Sequence, residues 1–163
     1  MPMEQYQFSY QLVEGIDALA AEDASLLRAA LAATTLAYAP YSGFHVGAAA
    51  LLANGAMVQG TNQENASYPV GICAERVLLG NVAMQYPGEV ILSMAISYRS
   101  VKRPSNQPIS PCGMCRQALV EFEHRTAAPI RLILGGETGK VMIVDSATLL
   151  LPFAFSPSEL NGR

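Results

Sequence analysis

A chain of 163 residues can bury one domain core and is too short for two comfortable ones. With 51% hydrophobic and only 14% charged residues, part of its surface is expected to be buried between subunits. The formal charge of -3, with Lys and Arg scattered and no run longer than Lys102-Arg103, excludes the clustered basic footprint of a nucleic-acid binder.

The N-terminal stretch has neither a positive leader nor a long apolar run, so it does not read as a signal peptide. No run of about 18 apolar residues exists to span a membrane. Tyr6, Phe8, Tyr10 and Leu12 alternate, which predicts a strand over Gln5 to Val13, followed by a helical turn from Gly15 to Leu19. Asp23 is placed to cap a helix running to about Ala37, with Leu26, Leu27, Ala30, Leu31 and Leu36 as its apolar stripe and Pro40 as its stop.

Phe44 to Ala53 and Ala56 to Thr61 read as a hairpin around a two-residue Asn54-Gly55 turn. A loop from Asn62 to Val70 precedes a helix from about Cys73 to Gln85, closed by Pro87-Gly88. Val90 to Tyr98 reads as a buried strand, Arg99 to Pro111 as loop and Cys112 to Glu123 as the next helix. Two short strands, Ile130 to Leu134 and Val141 to Val144, flank a glycine turn, and a helical turn from Ser146 to Leu151 leads into a tail with Phe153 and Phe155. The segment Gly135-Gly-Glu-Thr-Gly-Lys140 is one residue short of a phosphate loop, with Val141 where Ser or Thr would hold magnesium, so it reads as a hairpin turn. The alternation of strands and helices predicts an α/β layer architecture with a mixed sheet.

All three cysteines fall at predicted helix starts. Cys112 and Cys115, two residues apart, can converge on one metal from a single turn, and Cys73 supplies a third ligand from another helix. Helix N-termini favour thiolates, and in a chain without an export signal three cysteines point to metal ligation in a reducing, cytoplasmic setting rather than to disulfides. His124 is the candidate fourth ligand of a closed structural site, but nine helical residues beyond Cys115 carry it about 13 Å away. The fourth position is therefore expected to be open, as in catalytic zinc sites. Glu75, two positions from Cys73, does not share a helix face with it and is better placed to handle protons at that open position than to ligate. Three thiolates on Zn²⁺ leave a net charge near -1, which the helix dipoles and Arg76, if its guanidinium donates to the thiolates, would offset.

The stretches Tyr41-Ser-Gly-Phe-His-Val-Gly-Ala-Ala, Asn62-Gln-Glu-Asn-Ala-Ser-Tyr-Pro, Cys73-Ala-Glu-Arg, Ser110-Pro-Cys-Gly-Met-Cys-Arg-Gln and Leu150-Leu-Pro-Phe-Ala-Phe together closely resemble the small zinc cytidine deaminases. The resemblance covers roughly residues 24 to 158. It implies a three-layer α-β-α sandwich with a mixed central sheet of about five strands, as one domain over 1-163 with 1-22 an extension. It implies one zinc per subunit on Cys73, Cys112 and Cys115, making a water nucleophilic toward C4 of cytosine, with Glu75 as the proton carrier. By the same resemblance the Ala74 backbone N–H binds the ring carbonyl, Asn62 and Glu64 read the ribose and Phe44 packs on the base. Phe155 would reach a neighbouring subunit's site, with Tyr68 a further candidate, in a homotetramer whose sites lie at subunit junctions. The expected substrates are free cytidine and deoxycytidine, because a carboxylate at Glu64 repels a neighbouring phosphate. Another cytosine nucleoside, such as an antibiotic, or a non-catalytic zinc-stabilised domain are the alternatives; no nucleic acid or membrane partner is expected. Val77 stands where the family often has Thr, which leaves the chemistry intact and bears on substrate range.

Overall fold

The longest small-residue run of the chain, Gly47 to Ala50, lies in β2 (Phe44–Leu52), at the heart of the sheet in the computed structural model, which describes residues 1–161. Ala48, Ala50 and Leu52 point to one face of this strand and Ala49 and Leu51 to the other, the period-2 alternation of an extended chain. Small side chains on both faces let helices lie close on each side. Ala49 belongs to a core with Leu26, Leu27 and Ala30 of α1 (Ala21–Ala33). Ala48, Ala50 and Leu52 belong to a larger core with Leu78 and Val82 of α2 (Ala74–Gln85) and Leu119 and Phe122 of α3 (Gly113–Thr126). The result is an α-β-α sandwich with α1 on one face and α2 and α3 on the other.

The sheet has six strands in the order β1-β6-β5-β4-β2-β3. β3 (Met57–Thr61) and β4 (Ile91–Ser100) flank β2, both antiparallel to it. β4 and β5 (Arg131–Leu134) form the parallel pair, joined by the crossover that contains α3. β6 (Val141–Val144) returns antiparallel to β5, so the glycine segment between them is the hairpin turn its spacing implies. A final short helix, α4 (Pro157–Asn161), ends the described chain.

The sixth strand comes from the N-terminal extension and differs from expectation. Only Gln11–Val13 (β1) pairs, with Val141 to Ile143 of β6, and residues before Gln11 carry no ladder. β6 is four residues long, so its edge runs out where a strand starting at Gln5 would need it. Tyr6, Phe8 and Tyr10 instead pack in a partly exposed row, their ring centroids 6.2 and 6.4 Å apart. Asp23 is not the cap of α1; it sits in the first turn and its carboxylate takes both Nη atoms of Arg131 at 2.6 and 2.8 Å, tying the helix to β5.

α1 also stops at Ala33 rather than Ala37, followed by one tight turn over Thr34–Leu36 that leaves Leu36 exposed. There the Thr34 and Thr35 hydroxyls donate to the Leu31 and Ala32 carbonyls, competing with helix continuation. The first hairpin turns over three residues, not two. The Leu52 N–H bonds Ala56 O, the Gly55 N–H bonds Leu52 O, and Gly55 takes the left-handed φ of 84° that closes such a loop.

A close approach at Gly60 on β3 sets where α2 begins. A Cβ there would lie 2.5 Å from the Ala74 carbonyl oxygen and 2.5 Å from the Leu78 nitrogen. Gly60→Ala is therefore expected to cost about 2 kcal/mol or more. For a chain of this size that is roughly 4–8 °C in melting temperature, measurable by calorimetry. It also shifts the start of α2.

Candidate metal centre and substrate cleft

Two helix N-termini meet at one point. Cys73 is the N-cap of α2, Cys112 is the N-cap of α3, and Cys115 sits in the first turn of α3. The sulfurs of Cys73 and Cys112 are 3.9 Å apart, those of Cys112 and Cys115 are 3.4 Å apart, and all three lie within 4.8 Å of one another. Tetrahedral Zn–S bonds of about 2.3 Å put sulfurs about 3.8 Å apart, so this donor set suits zinc. Among the described residues no His, Asp or Glu joins the cluster. His124 lies in the last turn of α3 and is exposed, as its helical distance implies. The three cysteines can supply three of zinc's four ligands, and among the described residues no other His, Asp or Glu is grouped with them.

The cluster's electrostatics call for a cation. The Cys73 thiol is drawn down to about 6, first by the hydrogen bond it receives from Cys115 and more weakly by the positive charge of Arg76. Cys115 is pushed up, first by that same sharing of a proton with Cys73 and then by burial. One thiolate forms readily; three cannot coexist beside Glu75 without a positive ion among them. Among the described hydrogen bonds none comes from the Arg76 side chain, so it acts on Cys73 as a nearby charge rather than by donation to sulfur.

Glu75 is 5% exposed, with Cys115 near its carboxyl. Burial is the main cause of its raised pKa, only partly offset by its own backbone N–H and by the Cys115 contact. A carboxyl held above the usual carboxylate range by burial thus sits beside the sulfur cluster. The N–H of Ala74 next to it, in the first turn of α2, takes no intrahelical acceptor.

A cleft of about 430 Å³ opens over this point, lined by Phe44, Asn62, Glu64, Cys73, Ala74, Glu75, Ile109 and Cys112 among others. Asn62 extends the β2–β3 ladder with its side chain. Its Oδ1 accepts from the Val46 N–H at 2.7 Å and its Nδ2 donates to Phe44 O at 2.9 Å. One amide hydrogen and one lone pair remain for a ligand. Glu64 Oε2 accepts from the N–H groups of Tyr41 and Ser42 at 2.9 and 3.2 Å. The Ser42 hydroxyl, foremost, and these backbone bonds hold its carboxyl below the usual range, so it is a carboxylate at working pH. Phe44 stacks on Tyr98 of β4, with centroids 4.7 Å apart and rings 23° from parallel. A second hollow of about 490 Å³ adjoins the cleft across Ser42, Asn62, Glu64 and Cys73, with Tyr41 and Tyr68 packed edge to face on its wall.

Phe155 does not reach the cleft of its own chain. It is exposed on the C-terminal tail, where its carbonyl accepts from Gln117 Nε2 at 2.7 Å. Ser42 and Tyr98 were not singled out by sequence, since one acts through backbone-assisted bonds and the other through a diagonal strand contact.

Residues 20–128 match the family model described as the cytidine and deoxycytidylate deaminase zinc-binding region. A cytidine deaminase of Halalkalibacterium halodurans is 34% identical over 136 residues, spanning 83% of this chain and 96% of that protein. One from Mycoplasma genitalium is 42% identical over 126 residues, spanning 77% and 83%. A crystal structure of cytidine deaminase from Burkholderia pseudomallei superposes with a TM-score of 0.69 at 39% identity, covering 80% of this chain and 97% of that one.

Because the Glu75 pKa is raised in the fold, its contribution to stability is present below the unfolded value of 4.5 and is lost as pH rises through the folded value. Glu75→Gln removes that dependence. Its unfolding midpoint in denaturant should equal or exceed the parent's, by a margin that widens as pH rises above 4.5.

Proposed function

The chain belongs to the zinc-dependent cytidine deaminases, hydrolases that convert cytidine to uridine and ammonia, and we propose that Glu75 carries the protons of that reaction. The observation that carries this reading is a buried carboxyl, its pKa raised by that burial, beside three zinc-binding sulfurs in a cleft. Zinc, when bound, supplies the Lewis acidity that makes a water nucleophilic near pH 7. Glu75 would take a proton from that water and deliver it to the ring nitrogen of cytosine, then take the second proton from the new C4 hydroxyl and give it to the departing amine, which leaves as ammonia. The Ala74 N–H holds the ring carbonyl oxygen, and Phe44, fixed by Tyr98, packs on the base.

Asn62 and Glu64 suit a ribose. Asn62 offers its remaining donor and acceptor, and Glu64 offers an acceptor that stays ionised. An amide and a carboxylate can grip one hydroxyl from both sides. That same negative charge disfavours a phosphate close by, which supports free cytidine and deoxycytidine over nucleotides or polymers.

The exposed apolar side chains support a homotetramer. Tyr68, Met84, Met114, Phe153 and Phe155 are all exposed, and Phe155 lies away from its own cleft, where it can serve a neighbour's.

Four measurements test these assignments. Glu75→Gln should lower kcat on cytidine by about 10²–10⁴-fold with zinc content unchanged, read by ultraviolet absorbance and ammonia release. Glu64→Gln should chiefly raise KM for cytidine; a zinc-loaded parent inert on both nucleosides would overturn the reading. In sedimentation the parent should run as a tetramer. Mixing Phe155→Ala with Glu75→Gln subunits should then give activity that depends on assembly rather than a simple sum of the two.

A further inference from the structure

The three zinc ligands are not equally held. Cys115 is buried and Cys73 half-buried, whereas Cys112 is exposed. Packing fixes the first two and leaves Cys112 to its backbone. Both carbonyl groups that flank the Cys112 Cα are bound by one residue, Arg116. Its main-chain N–H donates to Cys112 O at 2.9 Å, a helical bond that any non-proline residue would make. Its side-chain Nε donates to Pro111 O at 2.8 Å, which is not a helical bond.

The other arm of the guanidinium is anchored too. Arg116 Nη1 donates at 3.0 Å to the carbonyl of Leu150, the last residue of the tight turn Ala147–Leu150. That turn is tied to the far end of α3 through Glu123. Its carboxylate accepts from the Ala147 N–H at 2.9 Å, the Ser146 hydroxyl at 3.0 Å and the Thr148 hydroxyl. One residue after Arg116, Gln117 holds the Phe155 carbonyl. Among the described residues no carboxylate pairs with Arg116, so its fork is spent on these two carbonyls.

We propose that Arg116 is a positioning residue for the metal: it aims the Cys112 sulfur by bracketing the peptide groups on either side, and it couples that ligand to the segment Leu150–Phe155. The planar fork is required because one donor reaches Pro111 O while another, at a fixed angle, reaches Leu150 O. A lysine offers one compact ammonium and cannot span both in that geometry. Loss of an outer partner that orients a ligand typically costs 10–100-fold in metal affinity.

The test uses the zinc-loaded protein and reads metal release into excess chromogenic chelator, so it stands apart from the choice of substrate. Arg116→Gln and Arg116→Lys should each release zinc about ten-fold faster or more. The cobalt-substituted forms should show shifted or weakened thiolate-to-cobalt and ligand-field bands. Release within two-fold of the parent, with the parent's cobalt spectrum, in either folded variant overturns the proposal. Should neither variant fold, the parent decides it. Limited proteolysis within Leu150–Phe155 should slow when zinc is restored to the chelated protein, and identical cleavage with and without zinc overturns the coupling.

Discussion

The structure turns on the meeting of two helix N-termini at one point. Each offers unpaired backbone N–H groups and the positive end of a dipole, and together they are where this fold most favours negative charge. Cys73 and Cys112 occupy the two N-caps, in extended conformation, so their side chains face each other at the mouth of the helices. Three thiols within 4.8 Å of one another cannot all ionise without a positive ion among them. The sheet serves this meeting. Gly60 lets α2 begin flush against β3, and the alanines of β2 let α2 and α3 share one face of the sheet.

The same convergence places a carboxyl in conflict with its surroundings. Glu75 is buried beside the sulfurs, at a place where its charge is unfavourable in the folded state. Optimising stability would replace it with an uncharged side chain. Glu64 has the opposite environment a short distance along the cleft, where Ser42 and two backbone N–H groups stabilise its charge. Two carboxyls of one cleft are thereby pushed in opposite directions, Glu75 toward its protonated form and Glu64 toward its ionised form.

How much of this was legible in the sequence follows from what each residue bonds to. The cysteines, Glu75 and the strand–helix order were readable because side-chain type and spacing carry the information. Asn62, Glu64 and Phe44 were readable through a specific family pattern, and each lines the cleft. The supports were not readable. Ser42, Arg116 and Glu123 bond largely to backbone groups, and a backbone N–H or carbonyl leaves no residue-type signature at the partner position. The N-terminal strand was overextended for a related reason. Alternation at Tyr6, Phe8, Tyr10 and Leu12 tells which side chains share a face, but strand length is set by the partner, and β6 offers four residues. Asp23 looked like a cap because its type suits one, yet a bidentate arginine more than a hundred positions away outcompetes the local bond.

α3 then does more than present two ligands. At its start Cys112 and Cys115 face the metal, and at its end the buried Glu123 gathers the N–H of Ile130, where β5 begins, and the groups of Ser146 to Thr148. Arg116 closes the circuit from the first turn back to Leu150. The helix is thus clamped to the chain that follows it at both ends, and the exposed aromatic tail leaves from that clamp. A tail held this way is displayed in a defined place, with Phe155 pinned by Gln117 and Phe153 at a left-handed φ of 63°. Such a conformation is costly for a bulky residue unless its surroundings impose it. The cysteines at the start of α3 and the tail that leaves Leu150 are therefore joined to one helix by the same few hydrogen bonds.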